Sequence, residues 1–277
     1  MGDLLITVAP TGAETAKADC PQLPTTLSEL VDTARRCESA GAGMIHVHIR
    51  DDDHRPTLDL GRLTDTVAAL REGTGLVVQL STGGSVHDPL DDRLKVLDAA
   101  PDSCSLTMGT TNFGDDVFLN PWPFVCDLYQ LSQERQVVPE FELFDLGHVA
   151  SLHRLLRTYG LPYGGKVHVD LVMGVPGGMP GTADALVAAV AALPAETTSW
   201  SATGIGRSTL AVALAGLSKG GHLRVGMEDV LTLAKGVPVE HNDQLVARAA
   251  ELGRLAQRTP MSGSEARALL GLPATAG

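Results

Sequence analysis

Hydrophobic positions along this chain recur with two different periods. Short runs rich in β-branched or apolar residues read as strands: "LLITVAP", "GMIHVHI", "LVVQLST", "SCSLTMG", "VVPEFELFD", "KVHVDLVMG", "TSWSATG" and "HLRVGME". Longer segments with helical spacing lie between them, among them "LSELVDTARRCESAG", "GHVASLHRLLRTYG" and "NDQLVARAAELGRLAQ". Punctuation supports the boundaries. Gly41 and Gly160 follow helices, Ser28 is placed to cap one, and Pro89 suits a first turn. Eight strands, each followed by a mostly helical connection, spell a parallel α/β protein. A single closed (β/α)8 TIM barrel over 1–277 fits better than an open doubly wound sheet, because no GxGxxG or Walker A signature follows an early strand. The connection "TTNFGDDVFLNPWPFVCD" carries extra loop before its helix.

Composition narrows the range of partners. The 277 residues are 44% hydrophobic and 19% charged, as expected of a folded globular protein. A net charge of −12 argues against a nucleic-acid or anionic-membrane surface but leaves room for a small anionic substrate. Cys20, Cys37, Cys104 and Cys126 form no CxxC pair or disulfide framework, which points to a reducing cytoplasm. "LLITVAP" is too short for a signal-peptide core, and no apolar run has the length of a membrane span.

A barrel places its chemistry at the C-terminal ends of its strands. His46 and His48 are two apart on the second strand and share one face. An HxH pair gives a metal two nitrogen ligands from one rigid element, and Glu228 past the eighth strand is the first choice for a third, oxygen ligand. Taken alone, the pair fits a half-buried core role as well as a metal role. In "RVGMED", Glu228 and Asp229 diverge, so one can ligate while the other faces substrate, and Arg224 can hold Asp229 or bind a carboxylate. Taken alone, that acid pair is a helix-start feature.

Other polar groups gather at the same strand ends. Glu140 and Glu142 alternate with Phe141 and Leu143, so the acids face inward, where they are costly unless paired or bound. Ser81, Thr82 and Gly83 in "STGGS" suit an oxyanion or form a plain glycine turn. "TGIGR" could cradle a phosphate, on weak evidence. Glu14 lies in a loop after the first strand and Thr107 on the fourth.

Together "ITVAPTGAETAKADCPQLP", "SAGAGMIHVHIRD", "QLSTGG", "PEFELFDLGH", "WSATGIGR", "GGHLRVGMEDV" and "HNDQLV" resemble the beta-keto acid cleavage enzyme family, whose founding activity is 3-keto-5-aminohexanoate cleavage. The resemblance covers nearly the whole chain. It implies a zinc-dependent TIM barrel, usually a homo-oligomer, that converts a 3-keto acid and acetyl-CoA into acetoacetate and a new acyl-CoA. It makes His46, His48 and Glu228 the Zn2+ ligands and Asp229 the general base, supported by Arg224 and by a hydroxyl of Ser81 or Thr82. Glu14, Gly83, Thr107 and one of Glu140 or Glu142 would line the substrate pocket, with Glu142 favoured as nearer the strand end. Acids at Glu14 and Glu142 would suit a cationic tail on the substrate. Two alternatives remain at this point: a metal-dependent aldolase or hydrolase needing no CoA, and a non-catalytic zinc protein that binds a keto acid.

Overall fold

The computed structural model describes residues 2–274, so Met1 and 275–277 at the ends of the expected domain lie outside the described residues. Eight strands are β1 (Ile6–Val8), β2 (Met44–Val47), β3 (Val77–Leu80), β4 (Ser103–Thr107), β5 (Val138–Leu143), β6 (Val167–Met173), β7 (Thr197–Gly204) and β8 (His222–Val225). They close into a ring in the order β1-β8-β7-β6-β5-β4-β3-β2, with every pairing parallel. The principal helices are α1 (Leu27–Ala40), α2 (Leu60–Gly73), α3 (Leu90–Lys95), α4 (Trp122–Arg135), α5 (Leu146–Tyr159), α6 (Ala183–Ala192), α7 (Thr209–Ser218), α8 (Asn242–Leu255) and α9 (Gly263–Leu270). This is the TIM-barrel arrangement. No helix among the described residues is long and apolar enough to cross a membrane.

Period-two alternation decides what the barrel holds. On β5, Phe141 and Leu143 point outward into a core shared with Leu152 and Leu156 of α5, while Glu140 and Glu142 point inward. On β6, Val169 and Leu171 join the same outer core, and His168 and Asp170 face the interior. Strand register then stacks the inward groups in rows. One row runs Ser105, Glu140, His168, Ser199, and the next runs Thr107, Glu142, Asp170, Ser201. The hydrocarbon lies between strands and helices, and this side of the interior is polar. At the N-terminal end, Ala266 and Leu270 of α9 pack on Leu5, Met44, Val77 and Val138 and plug the floor.

Local details differ from the sequence expectation in three places. Thr26, not Ser28, caps α1: its hydroxyl accepts the Glu29 N–H at 3.3 Å while the Glu29 carboxylate accepts the Thr26 N–H at 3.0 Å. Two orphan donors are thereby satisfied reciprocally, and Ser28 falls inside the first turn. Pro89 is the cap residue of α3 rather than part of its first turn. The extra loop after β4 is an antiparallel hairpin of Thr111–Phe113 and Asp116–Phe118 that turns at Gly114.

Candidate active site

Both imidazoles come from β2 and its end, two residues apart and on one face, with ring centroids 5.2 Å apart. Glu228 reaches them from the segment after β8. Its Oε1 lies 3.7 Å from His46 Nε2 and its Oε2 lies 3.8 Å from His48 Nε2. One donor atom from each of the three residues lies within 4.8 Å of the others. Ligands of a tetrahedral zinc ion bound at ~2.1 Å stand roughly 3.4 Å apart, so this spacing needs little adjustment to hold an ion. Room for the carboxylate depends on Gly12, whose φ is +64° and where a Cβ would stand 2.7 Å from Glu228 Cγ.

The histidines are prepared as ligands by what holds them. Gln79 Nε2 donates to Ser103 Oγ at 3.1 Å, which leaves Gln79 Oε1 as the acceptor 2.6 Å from His46 Nδ1. The proton therefore sits on Nδ1, and the Nε2 lone pair faces Glu228. Burial drops the His48 pKa to about 3 against the pull of Glu228, so this imidazole is neutral.

Arg224, buried inside the ring, meets four carboxylates. Its Nη1 lies 3.1 Å from Glu142 Oε1 and 3.9 Å from Asp170 Oδ2, and its Nη2 contacts Glu228 Oε1 and lies 3.1 Å from Asp229 Oδ1. Burial and the nearby Glu140 push the Asp170 pKa well above the ordinary carboxylate range. Four carboxyl groups around one guanidinium leave acceptors in excess of donors, an imbalance that a divalent cation would offset. Burial lifts Asp229 to about 7 despite Arg224, with Glu228 adding to the rise. Burial would raise Glu228 as well, but Arg224 and the two imidazoles outweigh it and hold the group at about 2. Glu228 Oε2 and Asp229 Oδ2 are buried and have no hydrogen-bond partner.

A cavity of about 370 Å³ opens at the C-terminal ends of the strands. His46, His48, Glu228, Asp229, Arg224, Glu14, Ser81, Gly83 and Glu142 line it. Of the paired alternatives, Ser81 rather than Thr82 and Glu142 rather than Glu140 line it, and Thr107, expected at the pocket, does not. Thr82 Oγ1 donates to the Ser105 carbonyl at 2.6 Å, and Thr107 Oγ1 donates to Glu142 Oε2 at 2.8 Å. Glu140 lies one row deeper, with Oε2 3.1 Å from His168 Nε2. In the glycine turn of "TGIGR" the Gly206 N–H donates to the Asp229 carbonyl at 2.8 Å.

Asp170, which stands with His168 among the polar groups of the sixth strand, does face the interior beside Arg224. Sequence reasoning missed Gln79 and an apolar wall formed by Phe113, Phe118, Phe144, Val172, Val175 and Ile205. A glutamine amid the valines and leucines of "LVVQLST" was the available signal for the first. The wall had none, because its members are far apart in the chain.

A parallel barrel whose mouth brings a His-His-Glu donor set beside a buried Asp-Arg pair defines a class of metal-site barrel proteins. Residues 3–272 match the profile of a family described as beta-keto acid cleavage enzyme. The chain is 35% identical to a 3-keto-5-aminohexanoate cleavage enzyme of Acetoanaerobium sticklandii, over 98% of this chain and 99% of that protein. It is 34% identical to a 3-oxoadipate:acetyl-CoA acetyltransferase of Cupriavidus necator, over 97% of this chain and 95% of the relative. Among solved structures, apo ObcA superposes with a TM-score of 0.75 at 21% identity, covering 91% of this chain and 66% of that one. That likeness bears on the fold alone. This chain belongs to the beta-keto acid cleavage enzyme family.

Proposed function

We propose that this protein is a metal-dependent beta-keto acid cleavage enzyme that converts a 3-keto acid and acetyl-CoA into acetoacetate and a new acyl-CoA. The observation that carries the reading is the meeting of His46, His48 and Glu228 within 4.8 Å, beside Asp229 and Arg224. Two imidazole nitrogens and one carboxylate suit zinc, with a position left open for substrate. A zinc ion held by these three residues would supply Lewis acidity and fixed positive charge to the oxygens of a bound 3-keto acid.

The chain's own residues account for the remaining requirements. Arg224 holds Asp229 Oδ1 and leaves Oδ2 without a partner, so Oδ2 is the atom that takes a proton from the carbon between carboxylate and keto group. A side chain whose pKa lies near the working pH is suited to accept that proton and return it. The electron pair left on carbon attacks the acetyl carbonyl of acetyl-CoA; a C–C bond forms, the C–S bond breaks and CoA leaves as thiolate. The thiolate adds to the original keto carbon, whose bond to the central carbon then breaks in a retro-Claisen step and releases the new acyl-CoA. Asp229 returns its proton to the central carbon, which completes acetoacetate. The Gly83 N–H donates to Ser81 Oγ at 3.2 Å, which leaves the Ser81 proton free for a substrate carboxylate. Glu14 stands at the rim, and Glu142 braces Arg224.

The same proposal holds that the chain is one catalytic domain, works in the cytoplasm and forms a homo-oligomer. Leu210 and Leu214, one turn apart on α7, are exposed apolar residues suited to a subunit contact. The central test assays zinc-loaded protein against a panel of 3-keto acids, with and without acetyl-CoA. Acetoacetate that appears only with acetyl-CoA is expected. Turnover without it would favour an aldolase or hydrolase, and ligand binding without any turnover would favour a sensor. Light scattering on the purified protein tests the oligomer.

A further inference from the structure

The cavity has two unlike sides. The metal donors come from β2 and from the segment after β8, whereas the opposite side is built from the hairpin after β4 and the ends of β5, β6 and β7. On that second side Phe113, Phe118 and Phe144 pack edge to face, with centroids 6.0, 6.1 and 6.4 Å apart. Three of the chain's five phenylalanines meet here. Phe144 also packs with Val172 and Val175, and Ile205 closes on the same cluster. The wall is fixed in place: the Gly114 N–H of the hairpin donates to the Pro176 carbonyl at 3.0 Å. Behind it, the buried Arg93 guanidinium lies 4.9 Å from the Phe118 centroid. Its nitrogens are spent on Thr82 O, Leu119 O and Asn120 Oδ1, so it presents no charge to the cavity.

We propose that this wall receives the group beyond the keto carbon, and that the substrate is a 3-keto acid with an uncharged, apolar tail. The inference rests on the proposed function, because it takes the carboxylate and keto oxygens to lie at the His-His-Glu side. Across the cavity from there, the chain of the acid meets the phenylalanines. A charged tail would be desolvated on that wall without a partner. Glu142 lines the cavity but is braced by Arg224 and Thr107, so an ammonium group would share its carboxylate with the guanidinium. That leaves Glu14, which is exposed and sits on the β1 side of the mouth. Arg50 brings a cation to the same loop through Nη2, which donates to Gly12 O at 2.7 Å and Thr15 O at 3.0 Å. A second carboxylate on the tail fares no better, since Arg224 is enclosed by its own four acids. A cationic tail would therefore find no acid of its own on the phenylalanine wall, and only a carboxylate already paired with Arg224 beside it.

The test compares kcat/KM of the zinc-loaded enzyme for three acids of equal chain length with saturating acetyl-CoA: 3-oxohexanoate, 3-keto-5-aminohexanoate and 3-oxoadipate. The neutral acid is expected to lead both charged ones by about 10-fold to 100-fold, because each charge would leave water on the apolar wall without a partner of its own. Equal or better turnover of either charged acid overturns the proposal and leaves the proposed function standing. If none is turned over although the metal is bound, the proposed function fails instead. Calorimetric binding of the same three acids then decides the tail, and tighter binding of a charged one overturns it. Val175→Asp, checked for normal metal content, should lower the value for 3-oxohexanoate and raise it for the amino acid analogue, with KM for acetyl-CoA unchanged. Where that variant does not fold, Phe144→Leu should lower the values for the neutral acid more than for the charged pair. An equal loss for all three acids with a raised KM for acetyl-CoA would give the wall to the co-substrate and overturn the proposal.

Discussion

The floor and the mouth of this barrel both bury polar side chains, yet they treat them in opposite ways. At the floor, His222 Nδ1 accepts the Leu5 N–H at 3.0 Å, and Arg258 donates to the carbonyls of Gly2, Asp3 and Gly221. Each of these groups closes on the protein itself. At the mouth, Glu228 Oε2, Asp229 Oδ2 and Arg224 Nε are buried without a hydrogen-bond partner. Buried polarity by itself therefore does not locate a site. Glu140, Thr7 and Thr197 also bury atoms without a hydrogen-bond partner away from the mouth, so what marks the mouth is that Glu228, Asp229 and Arg224 meet there on one cavity.

Several measurements can break or sharpen that contrast. The largest effect is expected from His48→Ala or Glu228→Ala, which should abolish zinc binding and turnover together, as read by metal analysis and acetoacetate assay; full activity in either variant would remove the metal centre from its proposed place. Asp229→Asn should cut kcat by roughly 10²–10⁴ while the protein keeps its zinc, and a change in metal content without loss of rate would reverse that assignment. Gln79→Leu should weaken zinc affinity by about 10–100-fold in a competition titration, since it frees the His46 tautomer. Unchanged affinity would show that the Gln79 contact only packs.

At the floor the expected effect is on stability and is smaller. Burial, with His168 and Arg258 adding, lowers the His222 pKa to about 3 from an ordinary value near 6.5. The folded state therefore binds this proton later than the unfolded state does. The stabilisation is complete above about pH 6.5 and is lost as pH falls from there toward 3. Between pH 7 and 5 the loss is about 2 kcal/mol, or roughly 4–8 °C in melting temperature. His222→Gln keeps an acceptor for the Leu5 N–H and should flatten that part of the profile with kcat unchanged. A melting curve as steep in the variant as in the native protein would assign the acid sensitivity elsewhere.

Much of this was legible in the chain, for identifiable reasons. Parallel strands covered by helices leave a strong apolar signature, so all eight barrel strands could be marked. His46 and His48 could be paired because they sit two apart on one strand, where phase alone fixes their common face. Glu228 and Asp229 required knowing that β8 closes on β1, which Ile6 opposite Leu223 and Val8 opposite Val225 accomplish. The hairpin of "TNFGDDVF" looks like loop in the sequence because three-residue strands carry too little periodicity. α9 went unread even though Ser262, Glu265 and Gly271 form a full capping box and left-handed stop. The phenylalanine wall was out of reach, since Phe113, Phe144 and Ile205 become neighbours only when the ring closes.

The hairpin that contributes Phe113 and Phe118 pairs only with itself, outside the ladder that runs around the ring. A change of sequence or length between Thr111 and Phe118 is therefore not transmitted to strand register, to His46 and His48, or to the carboxylates around Arg224. On the proposed assignment of the wall, Phe113 and Phe118 are the part of the tail's surroundings that can be exchanged in one short segment, apart from the residues proposed to cleave the acid.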